Sequence, residues 1–341
     1  MILLPNNKDF TISKNGISKI ENVVIGGVPQ SLLIQTENIA NPVLLFVHGG
    51  PSMPVPGVSC RGADYVLITG TKQLVKHFTV VFWDQRGTGK SYSKHVPKET
   101  MHLKQFIADA IEVSDYLRLR FNQDKIHLAA HSWGTVIALH SVYQHPEKFL
   151  TYTAFSQITS WVENDKLCYQ WLLEHARETG NRKMVKDLVE VGAPPYLESF
   201  EQWSVLRKYL LKNASMFYDA GDGNSATFYR VSKIMLKSPD YSLRDIFNSL
   251  VKGFKLAYTE EMLHDLNTFD FFTEVQKLEV PVIFIHGSKE KHVMPELVSM
   301  YVDQLEAPYG KKLFWANKSS HAFHPDDAKM NEQILIKHLI S

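Results

Sequence analysis

The chain reads as an α/β protein: a mostly parallel sheet with helices on both faces, interrupted once by a helical insertion. Three observations predict this. Apolar runs of strand length alternate with helically spaced apolar residues at both ends of the sequence. The segment 157–278 between them has helical stretches and little strand character. The pentapeptide Ala130-His131-Ser132-Trp133-Gly134 stands where an apolar run meets a helix-forming run.

The elements follow in order. Residues 20–25 and 30–36 read as a hairpin turned through Gly26-Gly27. The run Val43-Leu44-Leu45-Phe46-Val47 within 42–48 fits a strand buried on both faces, and 78–83 is a second. Residues 101–121 place Leu103, Phe106, Ile107, Ala110 and Leu117 at helical spacing, with Thr100 as the expected N-cap. A strand over 125–130, a helix stopped by Pro146 and a strand over 151–155 come next. After the insertion, strands at 280–286 and 312–315 alternate with helices at 295–305 and 326–340. Within it, helices are expected at 169–179, 182–191, 200–211 and 227–237, separated by turn signals such as Gly221-Asp222-Gly223-Asn224. The expected organisation is therefore a core over 1–156 and 279–341, with a helical cap over 157–278.

Composition excludes several classes. The 341 residues carry a net charge of +1, with 44% hydrophobic and 21% charged residues, so neither a nucleic-acid-binding surface nor a disordered acidic tract is expected. The two cysteines, Cys60 and Cys168, are too few for a disulfide framework and read as buried thiols. No apolar run approaches the ~18–20 residues that span a membrane. The first residues lack the basic flank and apolar core of a signal peptide, and a cytoplasmic protein of undetermined oligomeric state is expected.

The chemistry centres on Ser132. A small-x-Ser-x-Gly pentapeptide between strand and helix is a nucleophile elbow, in which only small residues fit two positions either side of the serine. Ala130 and Gly134 satisfy that requirement. The amide of Trp133 faces the same space and can supply one donor to an oxyanion. The glycine pair in His48-Gly49-Gly50-Pro51 can supply the other, from Gly50 or alternatively Gly49. A serine hydroxyl needs a base, and the order Ser, acid, His places that base on the loop after the last strand. His321 lies there, with His324 as near competitor. The acid that orients the histidine should follow the 280–286 strand, where Glu290 stands in Lys289-Glu290-Lys291. Glu163 and Asp165, at the start of the insertion, are the alternatives. No Cys or Glu stands at ligand spacing from His321 and His324, so no metal site is expected, and no organic cofactor. Gly89-Lys90-Ser91 looks like the end of a phosphate loop. The position five residues earlier, where that loop needs glycine, is Asp84, and a charged turn near the oxyanion loop is expected instead.

Taken together, His48-Gly49-Gly50-Pro51, the segment 83–91 (Trp-Asp-Gln-Arg-Gly-Thr-Gly-Lys-Ser) and His131-Ser132-Trp133-Gly134 resemble the proline iminopeptidase branch of the α/β-hydrolase fold. The resemblance implies an eight-stranded sheet, a helical cap and acyl transfer through Ser132. Proline iminopeptidases set cap glutamates, one in a Trp-Glu pair, against the substrate's free amino terminus. Trp161-Val162-Glu163 and Gln202-Trp203-Ser204 do not reproduce that pair. The aromatic content of the insertion favours an ester or lactone with a bulky hydrophobic body, with Trp161, Glu163, Trp171, Phe217 and Tyr218 as candidate substrate contacts. Glu174, Glu178, Glu198 and Glu201 keep an aminopeptidase acting on N-terminal proline or a small apolar residue as the alternative.

Overall fold

The computed structural model describes residues 8–197, 200–213 and 215–340. Among them, eight strands form one sheet in the order β1-β2-β4-β3-β5-β6-β7-β8. They are β1 (Ile17–Ile25), β2 (Val28–Thr36), β3 (Val43–Val47), β4 (Thr79–Asp84), β5 (Ile126–His131), β6 (Phe149–Phe155), β7 (Val282–Gly287) and β8 (Lys311–Ala316). The β1–β2 hairpin and the β2–β4 pair are antiparallel, and every pair from β4 through β8 is parallel. The apolar run of β3 is continuous because both faces are covered: Leu45 and Val47 enter one core cluster, Leu44 and Phe46 the other.

Helices cover the sheet or form the insertion. On the core are α1 (Leu74–His77), α2 (Leu103–Phe121) and α3 (Trp133–Gln144). The insertion between β6 and β7 holds α4 (Trp161–Glu178), α5 (Arg182–Val191), α6 (Phe200–Lys212), α7 (Phe228–Leu236), α8 (Leu243–Phe247), α9 (Phe254–Ala257), α10 (Glu260–Thr268) and α11 (Phe271–Glu274). Return to the core brings α12 (Pro295–Gln304) and α13 (Pro325–Leu339). Among the described residues no helix is long and apolar enough to cross a membrane. Cys60 and Cys168 are buried free thiols, and burial pushes the Cys60 thiol up to about 12.

Two local expectations are corrected. The N-cap of α2 is His102, whose ring accepts from the Gln105 amide at 3.2 Å. Thr100 lies in the preceding turn, where its hydroxyl donates to the Pro97 carbonyl at 2.7 Å. The first insertion helix begins at Trp161, eight residues before the expected 169, capped by Ser160. Asn164 and Asp165, poor helix formers, are held there by tertiary partners: Asn164 Oδ1 accepts from the Met294 amide at 2.8 Å, and Asp165 pairs with Arg207. The helical stretch through α8 and α9, joined by a π-turn at Asn248–Gly253, was not legible as a periodic pattern.

The segment after β4 is a structural joint. Asp84 accepts from the amides of Val58 at 2.8 Å and Lys90 at 2.9 Å, and from the Tyr241 hydroxyl. The Gly89-Lys90-Ser91 turn is thus committed to a buried carboxylate, which burial pushes up to about 6. Two residues on, Arg86 makes a two-pronged pair with Asp109 of α2, at 2.8 Å from both Nε and Nη2, and both side chains are fully buried. Gln30 and Gln105 also donate to Asp109, at 2.7 and 2.9 Å. Hairpin, β4 and α2 therefore meet on one satisfied carboxylate. Removing it strands a buried guanidinium. Asp109→Ala should lower unfolding free energy by about 3–5 kcal/mol in urea denaturation; a loss within ~0.5 kcal/mol would remove this joint from the account.

Candidate active site

The elbow is built by the ends of three strands. Ser132 follows β5 directly and adopts φ +52°, ψ −124°, a backbone region that non-glycine residues enter only under constraint. The constraint is visible. The Ser132 amide donates to the Phe155 carbonyl of β6 at 3.0 Å, and its own carbonyl accepts from the Thr135 amide at 2.8 Å and the Thr135 hydroxyl at 2.6 Å. A Cβ on Gly134 would stand 2.2 Å from the Val47 carbonyl oxygen, so only glycine lets α3 approach β3 this closely. A Cβ on Gly49 would lie 3.2 Å from Ser132 Cβ, which shows how tightly the loop after β3 closes against the serine. The Trp133 amide belongs to the first turn of α3 and has no partner within the helix. Its buried indole donates to Gln85 Oε1 at 3.2 Å, fixing that end of α3 against the turn after β4.

His321 and Glu290 come from the loops after β8 and β7. Glu290 is fully buried and its Oε1 is hydrogen bonded to His321 Nδ1. Its oxygens also accept from the Val293 amide at 3.1 Å and the Ser156 hydroxyl at 2.8 Å, with His286 Nε2 3.3 Å away. Burial pushes the Glu290 carboxyl up to about 7, against the opposing pull of His286 and these hydrogen bonds. Burial, with a smaller contribution from the Arg207 charge, holds His321 well below the usual imidazole range. The direction that matters is the second: a neutral ring with Nδ1 engaged leaves Nε2 able to accept a proton. The His131 and His292 rings both pack against His321, each with its centroid 4.7 Å from that of His321. His131 Nε2 donates to the His321 carbonyl at 3.1 Å, which fixes the loop as well as the ring.

Ser132 and His321 line one cavity of about 470 Å³, together with Gly49 and Gly50. No direct Ser132–His321 hydrogen bond is formed among the described residues; such contacts are often loose in an unliganded site and tighten around substrate. Gly50 has φ +123°, and its carbonyl accepts from the Tyr258 hydroxyl at 3.0 Å, tying the loop after β3 to the insertion. The arrangement offers a hydroxyl and a neutral imidazole on one cavity, the imidazole hydrogen-bonded to a buried carboxyl group, and the first-turn amide of Trp133 next to the serine, which are parts that acyl transfer uses.

The acids at the start of the insertion are placed elsewhere. Asp165 is buried against Arg207, and Glu163 is half-exposed and paired with Lys166 at 2.7 Å. His324 caps α13 by accepting from the Asp326 amide and meets Asp222 at 3.2 Å, so it is not beside Ser132. Asp222, His324 and Asp326 could converge on a metal ion, but the Lys318 ammonium already sits 3.0 and 2.8 Å from the two carboxylates.

Of the five expected substrate contacts, Trp161 lines the cavity and four do not. Glu163 turns outward on α4. Trp171 lies about two turns further along and stacks on His175 at 5.6 Å. Phe217 packs into the core on the other sheet face. Tyr218 is exposed, with the Lys289 ammonium 5.8 Å from its ring. The roof is made instead by Phe200, Trp203, Arg207 and Tyr258, on α6 and just after α9. Trp203 and Arg207 are four apart on one helix, a spacing the sequence shows but does not orient. Glu174, Glu178 and Glu201 are not among the cavity residues, and Glu198 lies outside the described residues.

Comparisons with known proteins agree with this fold. Residues 42–328 match the alpha/beta hydrolase fold family. The chain is 32% identical over 329 residues to the probable aminopeptidase YbaC of Bacillus subtilis (strain 168), covering 95% of this chain and 97% of that protein. It is 30% identical over 149 residues to a proline iminopeptidase of Heyndrickxia coagulans, 43% of this chain and 46% of the relative. Among solved structures, a proline iminopeptidase-related protein of Thermus thermophilus superposes with a TM-score of 0.63 at 17% identity, covering 95% of this chain and 98% of that one. A mutant epoxide hydrolase of Bacillus megaterium does so with a TM-score of 0.54 at 20% identity, covering 94% and 99%. Those two likenesses are of fold alone. The strand order, the strained turn at Ser132 and a family match over most of the length make this chain a hydrolase of the alpha/beta hydrolase fold family.

Proposed function

We propose that the chain is a serine hydrolase that cleaves a carboxylic ester or lactone with a bulky hydrophobic body through an acyl-enzyme. Ser132 Oγ attacks the carbonyl carbon while His321 Nε2 takes its proton. Glu290 holds the reactive tautomer of His321 and stabilises the imidazolium. The amides of Gly50 and Trp133 receive the developing oxyanion. His321 then protonates the leaving alkoxide, and a water activated by the same ring releases the acid. The helical insertion acts as a cap that encloses the acyl or alcohol portion. The two buried free thiols fit a cytoplasmic setting.

One observation carries the choice of ester over peptide. The cavity above Ser132 is walled largely by aromatic and aliphatic side chains, its charged members Arg207 and Lys208 are cationic, and among the described residues no carboxylate lines it. A free amino terminus entering there would lose its hydration without meeting an opposite charge. A second reading, an aminopeptidase, is favoured by the full-length relative named as a probable aminopeptidase. Aryl esters and lactones assayed beside proline and alanine arylamides separate the two. The ester reading expects kcat/KM for the best ester to exceed that for every free-amine arylamide by at least ~100-fold; the reverse order establishes the aminopeptidase.

Ser132→Ala should lower kcat by about 10⁴–10⁶-fold with an unchanged melting temperature. Turnover within tenfold of the native rate would eliminate the acyl-enzyme. Glu290→Gln should cost about 10³–10⁴-fold in kcat, since the neutral amide favours the wrong imidazole tautomer. Asp165→Asn, measured alongside, should leave a far larger share of the rate; if the two effects exchange places, the orienting acid is Asp165.

A further inference from the structure

The roof of the cavity holds three hydrogen-bond donors that meet no acceptor among the described residues. Trp161 Nε1, Trp203 Nε1 and Arg207 Nε are each buried without a partner among the described residues. The side chains form one group: the two indoles stack with centroids 6.4 Å apart, and the Arg207 guanidinium lies 5.0 Å from the Trp161 ring and 4.9 Å from that of Trp203. All three line the space above Ser132. An indole nitrogen can only donate, and so can a guanidinium, so the unmet requirement has one sign. Leaving a buried donor unpaired is costly, and native proteins keep few such groups without a reason.

Asp165 accounts for part of the guanidinium. It takes Nη2 and leaves Nε unpaired. The contact with two indole faces fixes the plane of the guanidinium, so its unpaired Nε is held in one orientation for a charge-assisted hydrogen bond to a carboxylate oxygen. Lys208, next in sequence, also borders the cavity and adds positive potential. Arg207 lines the cavity together with His321 and His292, and its charge disfavours their protonation.

We propose that Trp161, Trp203 and Arg207 form a carboxylate-binding subsite, so that the ester cleaved at Ser132 bears a carboxylate a few bonds from its scissile carbonyl. This rests on the serine-hydrolase reading above and narrows its substrate class from hydrophobic esters to monoanionic ones. The apolar walls then hold the carbon chain between the two ends.

The experiment compares matched substrates in one preparation. One pair carries the charge in the acyl part, mono-(4-nitrophenyl) adipate against 4-nitrophenyl hexanoate. The other carries it in the alcohol part, 4-acetoxyphenylacetate against its methyl ester. The native chain should favour the anionic member of at least one pair by ~10-fold or more in kcat/KM. Arg207→Gln should bring that ratio to about one, Arg207→Lys should retain part of it, and Trp203→Phe, which keeps an aromatic ring and deletes the N–H, should lower it several-fold. Because each ratio is taken within one sample, loss of folded protein cancels. Neutral members preferred in both pairs, or a ratio that survives Arg207→Gln, overturns the subsite. Fluorophosphonate labelling of Ser132 in the same preparations keeps the two readings apart. Labelled Ser132 with no anionic preference removes the subsite alone; unlabelled Ser132 with no ester cleaved removes the serine-hydrolase reading and the subsite with it.

Discussion

The strained backbone of Ser132 is the constraint on which the rest of the site depends. A residue at φ +52° is held there only because its surroundings leave it no alternative. Its amide is taken by β6, its carbonyl by Thr135, and the next turn of α3 is pressed against β3 by the missing Cβ of Gly134. Three parallel strands must be in register before those contacts exist. The hydroxyl is therefore delivered by the sheet rather than by the loop that carries it.

The same sheet aligns the partners. Parallel strands send all their carboxyl ends to one edge, and the loops after β3, β5, β7 and β8 meet there. That edge brings together Gly50, Ser132, Glu290 and His321, drawn from positions as far apart as 50 and 321. Burial then sets their chemistry. With water excluded, charge on either member of the His321–Glu290 pair is disfavoured, and the hydrogen bond between them becomes the main determinant of ring orientation. Ser156, Val293 and His286 surround the carboxylate, so a glutamate, one methylene longer than aspartate, is held by contacts beyond His321.

The insertion contributes by closing the space above. It is bound to the core through polar contacts of high specificity: Asn164 to the Met294 amide, Tyr241 to Asp84, Tyr258 to the Gly50 carbonyl. Those contacts put an aromatic roof over the serine and place a cation among indoles where an apolar surface alone was expected. Fold kinship with proteins named for peptide and epoxide chemistry leaves the choice of substrate to this roof.

Local sequence alone determined the alternating framework and the elbow turn, and it pointed to Ser132 and His321 and, with Glu163 and Asp165 as alternatives, to Glu290. Each of those depends on a short-range rule: strand-length apolar runs, small residues around a tight turn, and the chain order of loops in a parallel sheet. The start of α4 escaped because Asn164 and Asp165 are poor helix formers rescued by partners far along the chain, Met294 and Arg207. The cap of α2 escaped for a similar reason: the Leu103 amide is met by Asp265, equally remote in sequence. Tertiary structure decided which insertion side chains face the cavity, excluding Glu163, Trp171, Phe217 and Tyr218 and admitting Phe200, Trp203, Arg207 and Tyr258. A helical period says which residues share a face, but only packing against a second surface decides where that face points.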